Sequence, residues 1–111
     1  MVLFVLLFSA CKKKAQTDEN QKPKVLATTG MIQDAVINLL GSAVEVEALM
    51  GPGVDPHLYQ ASPGDLSKMN KADVIVYNGL FLEGKLDGIL SKLSEKKKVI
   101  NFSSSISTNN L

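Results

Sequence analysis

Val74-Ile-Val-Tyr77 is a short, unbroken apolar run in the second half of the chain. A run of this length without polar alternation is the pattern of a strand covered on both faces. Strands of that kind belong to parallel sheets, and parallel strands need crossover connections that usually carry a helix. The flanks agree. Upstream, Ser62, Pro63 and Asp65 form the N-cap and first-turn pattern of a short helix that would carry Leu66 and Met69. Downstream, Leu82, Leu86, Ile89, Leu90 and Leu93 form a helical stripe, weakened by Gly84 and Gly88 by about 1 kcal/mol each relative to alanine. Val99-Ile-Asn-Phe102 then reads as a fourth strand.

The same alternation runs toward the N-terminus. Val44-Glu-Val-Glu-Ala-Leu49 alternates apolar and acidic residues, as a half-exposed strand at a sheet edge does. Ile32, Ala35, Val36, Leu39 and Leu40 follow an amphipathic helical spacing, and Gly41 stops that helix. Lys24-Val-Leu-Ala-Thr28 opens the series as a strand, with Thr28, Thr29 and Gly30 supplying turn and capping chemistry. The order strand, helix, strand, helix, strand, helix, strand predicts an α/β lobe of three layers around a four-stranded parallel sheet. Ligands in such folds bind beyond the carboxyl ends of the strands. The loops expected there are Thr28–Gly30, Met50–Ser62 and Asn78–Leu80. The Ser103-to-Asn110 tail is polar and has no evident partner. No internal repeat is visible.

The second of those loops holds the only histidine, His57, in Gly51-Pro-Gly-Val-Asp-Pro-His-Leu-Tyr-Gln-Ala-Ser-Pro-Gly-Asp65. Glycine permits unusual backbone angles, proline fixes φ, and Asp55 before Pro56 is pushed toward an extended conformation. Together they aim one imidazole out of a turn, and imidazole is the commonest protein ligand for transition metals. A lone histidine in a polar loop can equally be a surface residue. Asp55 suits an Asx-turn with its own backbone, or a role orienting the His57 ring. Asp34 and Glu83 read as solvated helix positions, and Asp65 as a helix first-turn residue. Tyr59 and Tyr77 read as packing residues with a polar tip. Met31, Met50 and Met69 read as gap-filling core.

The ends differ from the body. Val2 to Phe8 is apolar and is followed by Ser9-Ala10-Cys11, the pattern of a secretory leader ending at small residues. The run is far shorter than the roughly 20 residues a membrane-spanning helix needs. Leu7-Phe8-Ser9-Ala10-Cys11 resembles a bacterial lipobox, in which the cysteine is acylated, although no lysine or arginine precedes the run. Residues 1–11 thus read as a leader, 12–23 as a polar flexible tether, and 24–111 as the lobe. This places the chain at the bacterial cell envelope, periplasmic or on the outer surface, held to the membrane by lipid.

Composition narrows the function classes. Twelve lysines against 11 acidic residues give no nucleic-acid footprint, and no arginine is present to read phosphate or guanine bidentately. The Lys96-Lys97-Lys98 run reads as a solvated helix end. One cysteine excludes a disulfide framework and a cysteine-based zinc site. An enzyme is not expected. There is no Walker A, Gly-x-Ser-x-Gly or Gly-x-Gly-x-x-Gly motif, and a catalytic zinc site needs three protein ligands and an open position.

Five motifs occur in order: Thr28-Thr-Gly-Met-Ile, Gly51-Pro-Gly-Val-Asp-Pro-His-Leu-Tyr, Gly64-Asp65, Ala72-Asp-Val-Ile-Val-Tyr-Asn-Gly79 and Leu82-Glu-Gly-Lys85. From Lys24 onward the chain resembles the N-terminal lobe of bacterial metal-binding lipoproteins of the zinc/manganese ABC-transporter class, solute-binding proteins sometimes called adhesins. The resemblance implies zinc or manganese as the transported ligand, a membrane permease as partner, and His57 as one of typically four metal ligands. It implies that the others, a second histidine, a histidine or glutamate, and an aspartate, come from later sequence. The second lobe is expected to be absent from this chain. Phe81 falls where many members carry a polar residue such as His or Asn. The competing expectation is a truncated, lipid-anchored interaction domain without useful metal binding.

Overall fold

A computed structural model describes residues 21–106. The leader, Cys11 and most of the tether lie outside the described residues. Four strands, β1 (Lys24–Thr29), β2 (Glu45–Met50), β3 (Val74–Tyr77) and β4 (Lys98–Asn101), form one sheet in the order β2-β1-β3-β4. Every pairing is parallel, with Ala27 opposite Ala48 in β2 and Val76 in β3, and Tyr77 opposite Asn101. Helices α1 (Gly30–Leu40), α2 (Pro63–Lys71) and α3 (Asp87–Ser94) make the crossovers.

The side-chain alternation of the strands sorts the core into two layers. Leu26 and Ile75 point to one face, where Met69 of α2 and Leu86 and Leu90 near and on α3 meet them. Val25, Ala27 and Val76 point to the other, where Ile32 and Val36 of α1 meet them. A core side chain of this size contributes about 1.5–3 kcal/mol when fully buried. Ile75, Met69 and Leu86 are all fully enclosed. The expected three-layer α/β lobe is therefore present, with Val74–Tyr77 inside and the strand of Glu45 and Glu47 at an edge.

Several local expectations need correction. Leu39 and Leu40 are 75 % and 51 % exposed, so only Ile32 and Val36 of the expected stripe are core. Met31, expected as core, is 68 % exposed, whereas Met50 and Met69 are buried. Leu66 also faces outward. The expected helix from Leu82 is interrupted: residues 80–83 form a turn, Gly84–Leu86 a single 3₁₀ turn, and α3 begins only at Asp87. Phe102 lies past β4, in a 3₁₀ turn. Ser103, placed in the unpartnered tail, is buried and its amide donates to the Asn78 carbonyl at 3.1 Å. Among the described residues no helix is long and apolar enough to cross a membrane.

The caps explain the element boundaries. Thr29 ends β1 and accepts the Ile32 amide at 3.4 Å as N-cap of α1. Gly41 closes that helix at φ 54°. Ser62 and Asp65 form a reciprocal capping box at the start of α2, with Pro63 at the first helical position. The lysine run lies past α3, not in its last turn. Lys97 instead reaches the far end of α2, where its ammonium donates to the carbonyls of Met69, Asn70 and Ala72 at 2.7–2.8 Å. A cation there complements the helix dipole.

Candidate metal centre

The helix after β1 packs on one face of the sheet and the helix after β3 on the other. The two strands are neighbours, so their carboxyl ends form the switch point at which open α/β sheets take ligands. Three loops meet this edge: the Thr29–Gly30 junction, residues 51–62 after β2, and residues 78–83 after β3.

His57 stands in the second loop. Two successive turns shape it: the Val54 amide donates to the Gly51 carbonyl at 3.3 Å, and the Leu58 amide to the Asp55 carbonyl at 3.2 Å. Gly53, at φ 80°, takes a left-handed conformation that glycine adopts without strain. Asp55 Oδ1 accepts the His57 backbone N–H at 2.9 Å, which is the expected Asx-turn, and it also lies 3.2 Å from His57 Nδ1. The expected turn is therefore formed, and the same carboxylate oxygen stands beside the ring. The imidazole side chain is 65 % exposed. Two residues on, Tyr59 packs against the core and donates its hydroxyl to Asp65 Oδ2 at 2.7 Å. The loop is therefore pinned to the cap of α2 just after His57. Burial, then the hydrogen bond to Asp65, push the Tyr59 hydroxyl up to about 12. The same bond, with those from Ser62, holds the Asp65 carboxyl below its ordinary range.

The third loop contains the residue that sequence reasoning missed. Glu83 is not a solvated helix position; it is 2 % exposed. Its carboxylate accepts the Thr28 hydroxyl at 2.5 Å and the amides of Asn78 and Gly79 at 2.8 and 3.2 Å. It thereby ties the end of β1 to the turn after β3. That turn is left-handed for three residues, with φ of 84°, 52° and 61° at Gly79, Leu80 and Phe81. A Cβ on Gly79 would run into the Asn101 and Ser103 side chains, which would have to shift, and the positive φ would strain any larger residue there. The turn holds Leu80 half-exposed and Phe81 82 % exposed on the surface. The sequence carried one signal for this: Asn78-Gly79 is a turn pair directly after a buried strand.

Of the carboxylates considered in the sequence, only Asp55 is brought to His57. Asp34 is exposed on α1, Asp65 is occupied by the capping box and Tyr59, and Glu83 by its three donors. Among the described residues no group of three or more His, Cys, Asp or Glu side chains converges. The described residues present one imidazole rather than a closed coordination shell.

Residues 25–110 match the family described as ZnuA, zinc-uptake complex component A, periplasmic. The chain belongs to this family. It is 49 % identical over 92 residues to the manganese-binding lipoprotein MntA of Bacillus subtilis, covering 83 % of this chain and 30 % of that protein. It is likewise 49 % identical over 85 residues to the zinc-binding protein TroA of Treponema pallidum, covering 77 % of this chain and 28 % of that one. Among solved structures, the periplasmic zinc binding protein TroA superposes with a TM-score of 0.76 at 48 % identity, over 79 % of this chain and 32 % of its own. The Mn-bound periplasmic metal binding protein from Candidatus Liberibacter asiaticus gives a TM-score of 0.69 at 32 % identity, over 78 % of this chain and 32 % of its own. The chain thus spans about a third of the length of the relatives it matches.

Proposed function

We propose that this chain is the metal-capturing N-terminal lobe of an envelope solute-binding protein, which holds zinc or manganese as cargo for an ABC permease. One observation carries the reading: the single imidazole stands exposed on a braced turn at the ligand edge of a sheet shared with relatives named for zinc or manganese binding. His57 is the ligand assigned to this lobe. A structural or transport zinc ion takes about four ligands from His, Cys and carboxylates, and manganese favours more oxygen donors. The family resemblance implies that the remaining ligands come from later sequence, outside this lobe. The role is read as binding rather than catalysis, in keeping with a family and relatives named for zinc uptake and metal binding. Residues 1–11 are assigned as the leader and 12–23 as the tether, with acylated Cys11 as the anchor, in keeping with relatives named as lipoproteins.

Calorimetric titration of zinc and manganese tests this. The 111-residue chain is expected to bind weakly, because one ligand cannot close the shell. Joined to a second lobe, affinity is expected to rise by orders of magnitude, and His57→Ala to remove most of the gain. Tight one-to-one binding by the 111-residue chain, insensitive to His57→Ala, would overturn the assignment.

A further inference from the structure

We infer that Asp55 is a positioning residue for His57: it fixes the neutral imidazole as the Nδ1–H tautomer and leaves Nε2 as the open metal-binding nitrogen. The inference rests on the reading of His57 as a ligand. A neutral imidazole has one N–H donor and one lone-pair nitrogen, and an ionised carboxylate only accepts. Asp55 Oδ1 lies 3.2 Å from Nδ1, and a hydrogen bond between them has Nδ1–H as its donor. The lone pair is then on Nε2, which has no hydrogen-bond partner among the described residues.

Both side chains are more than half exposed, so water competes for this bond. Geometry offsets that competition. The same Asp55 oxygen is already held by the His57 backbone N–H at 2.9 Å, and the Leu58 amide closes the turn on the Asp55 carbonyl. Pro56, between the two residues, has a fixed φ. Little further freedom is lost when the ring swings onto the carboxylate. An unconstrained imidazole favours the opposite, Nε2–H tautomer, in which the outward nitrogen has no lone pair to give. A carboxylate on the inner nitrogen reverses that preference, as carboxylate partners of metal-bound histidines do.

Nitrogen NMR of the ¹⁵N-labelled, metal-free 111-residue chain tests this at a pH well above the imidazole range. His57 is the only histidine, so both ring signals belong to it without assignment. A protonated Nδ1 and an unprotonated Nε2 are expected. Asp55→Ala should return the ring to the Nε2–H form. Asp55→Asn, whose side-chain oxygen still accepts, should keep most of the Nδ1–H form. When zinc is added, the Nε2 signal should move, with a midpoint about 10–100-fold higher in Asp55→Ala and much less displaced in Asp55→Asn. A predominantly Nε2–H ring in the unmodified chain, or a tautomer ratio untouched by Asp55→Ala, overturns the inference. So does an Asn variant that keeps the tautomer yet binds zinc as poorly as the Ala variant, since the carboxylate would then be a ligand itself. A zinc affinity, read by calorimetry, that is unchanged by His57→Ala instead sinks the ligand reading, whatever the tautomer.

Discussion

Glu83 brings a carboxylate into the interior, where an unpaired charge would be costly. Three donors offset that cost. Removing the carboxylate takes this acceptor from the Asn78 and Gly79 amides and the Thr28 hydroxyl, at about 1–3 kcal/mol for each buried group left unpaired. Glu83→Ala should therefore destabilise the lobe by about 3–5 kcal/mol, a large share of the total for a domain of this size. Glu83→Gln keeps one acceptor but turns an amide donor toward existing donors, and should cost about half as much. Urea unfolding monitored by circular dichroism checks both, and a loss under 1 kcal/mol for the alanine variant would show that the clamp is not structural. This residue was illegible in the sequence for a definite reason. The spacing of Leu82, Leu86 and Leu93 is helical, and on that pattern alone Glu83 is a solvated helix position. The positive φ values at Leu80 and Phe81 break that helix, and no local propensity favours them in leucine or phenylalanine. They persist because a residue two places on grips the backbone before them. His57, by contrast, could be found from its neighbours, because glycine, proline and Asx chemistry act locally.

At the scale of the element, α2 shows the same division. Its start was readable, since Ser62 and Asp65 satisfy one another's backbone groups within one turn and Pro63 holds the first helical position. Its end was not, because the capping ammonium of Lys97 comes from 25 or more residues away. The Tyr59 bond to Asp65 also crosses from loop to helix and has no sequence pattern. It makes the start of α2 sensitive to pH. Asp65 titrates below the ordinary carboxylate range when folded, chiefly because of Tyr59 and then Ser62. The unfolded chain thus takes up this proton first. The stabilisation from Asp65 is complete above the ordinary carboxylate value and is lost as pH falls through the lowered, folded value. Tyr59→Phe should raise the Asp65 midpoint toward its ordinary value and shrink the acid-side slope of stability. Carboxyl ¹³C NMR titration reads the first effect, and an Asp65 midpoint that stays put in the variant would remove Tyr59 from the account. On the alkaline side the sign reverses. Tyr59 is raised to about 12, so its contribution is whole below the ordinary tyrosine range and is lost as pH rises through that value.

For the whole molecule, the fold was legible because two periods differ: Val74–Tyr77 is continuously apolar, whereas Glu45 and Glu47 alternate with Val46 and Ala48. The structure converts that contrast into position. Strand β3 has neighbours on both sides, β1 and β4, while β2 pairs with β1 alone. What the pattern could not say is how much of each helix the sheet underlies, and so Leu39 and Leu40 were assigned to a core that does not reach them. The distinction between centre and edge has a measurable consequence. An amide in β1 or β3 exchanges only when a large part of the sheet opens, because each face is packed and both flanks are paired. Half of the backbone groups of β2 face away from β1 and exchange without any such opening. Amides of Val25–Ala27 and Val74–Tyr77 should therefore be the slowest in the chain, approaching the free energy of global unfolding, and those of Glu45–Ala48 on average markedly faster. Hydrogen exchange followed by NMR resolves the two sets. Equal protection, or slower exchange in Glu45–Ala48, would mean that β2 is covered on its outer side in solution and that the order β2-β1-β3-β4 does not end where this structure ends it.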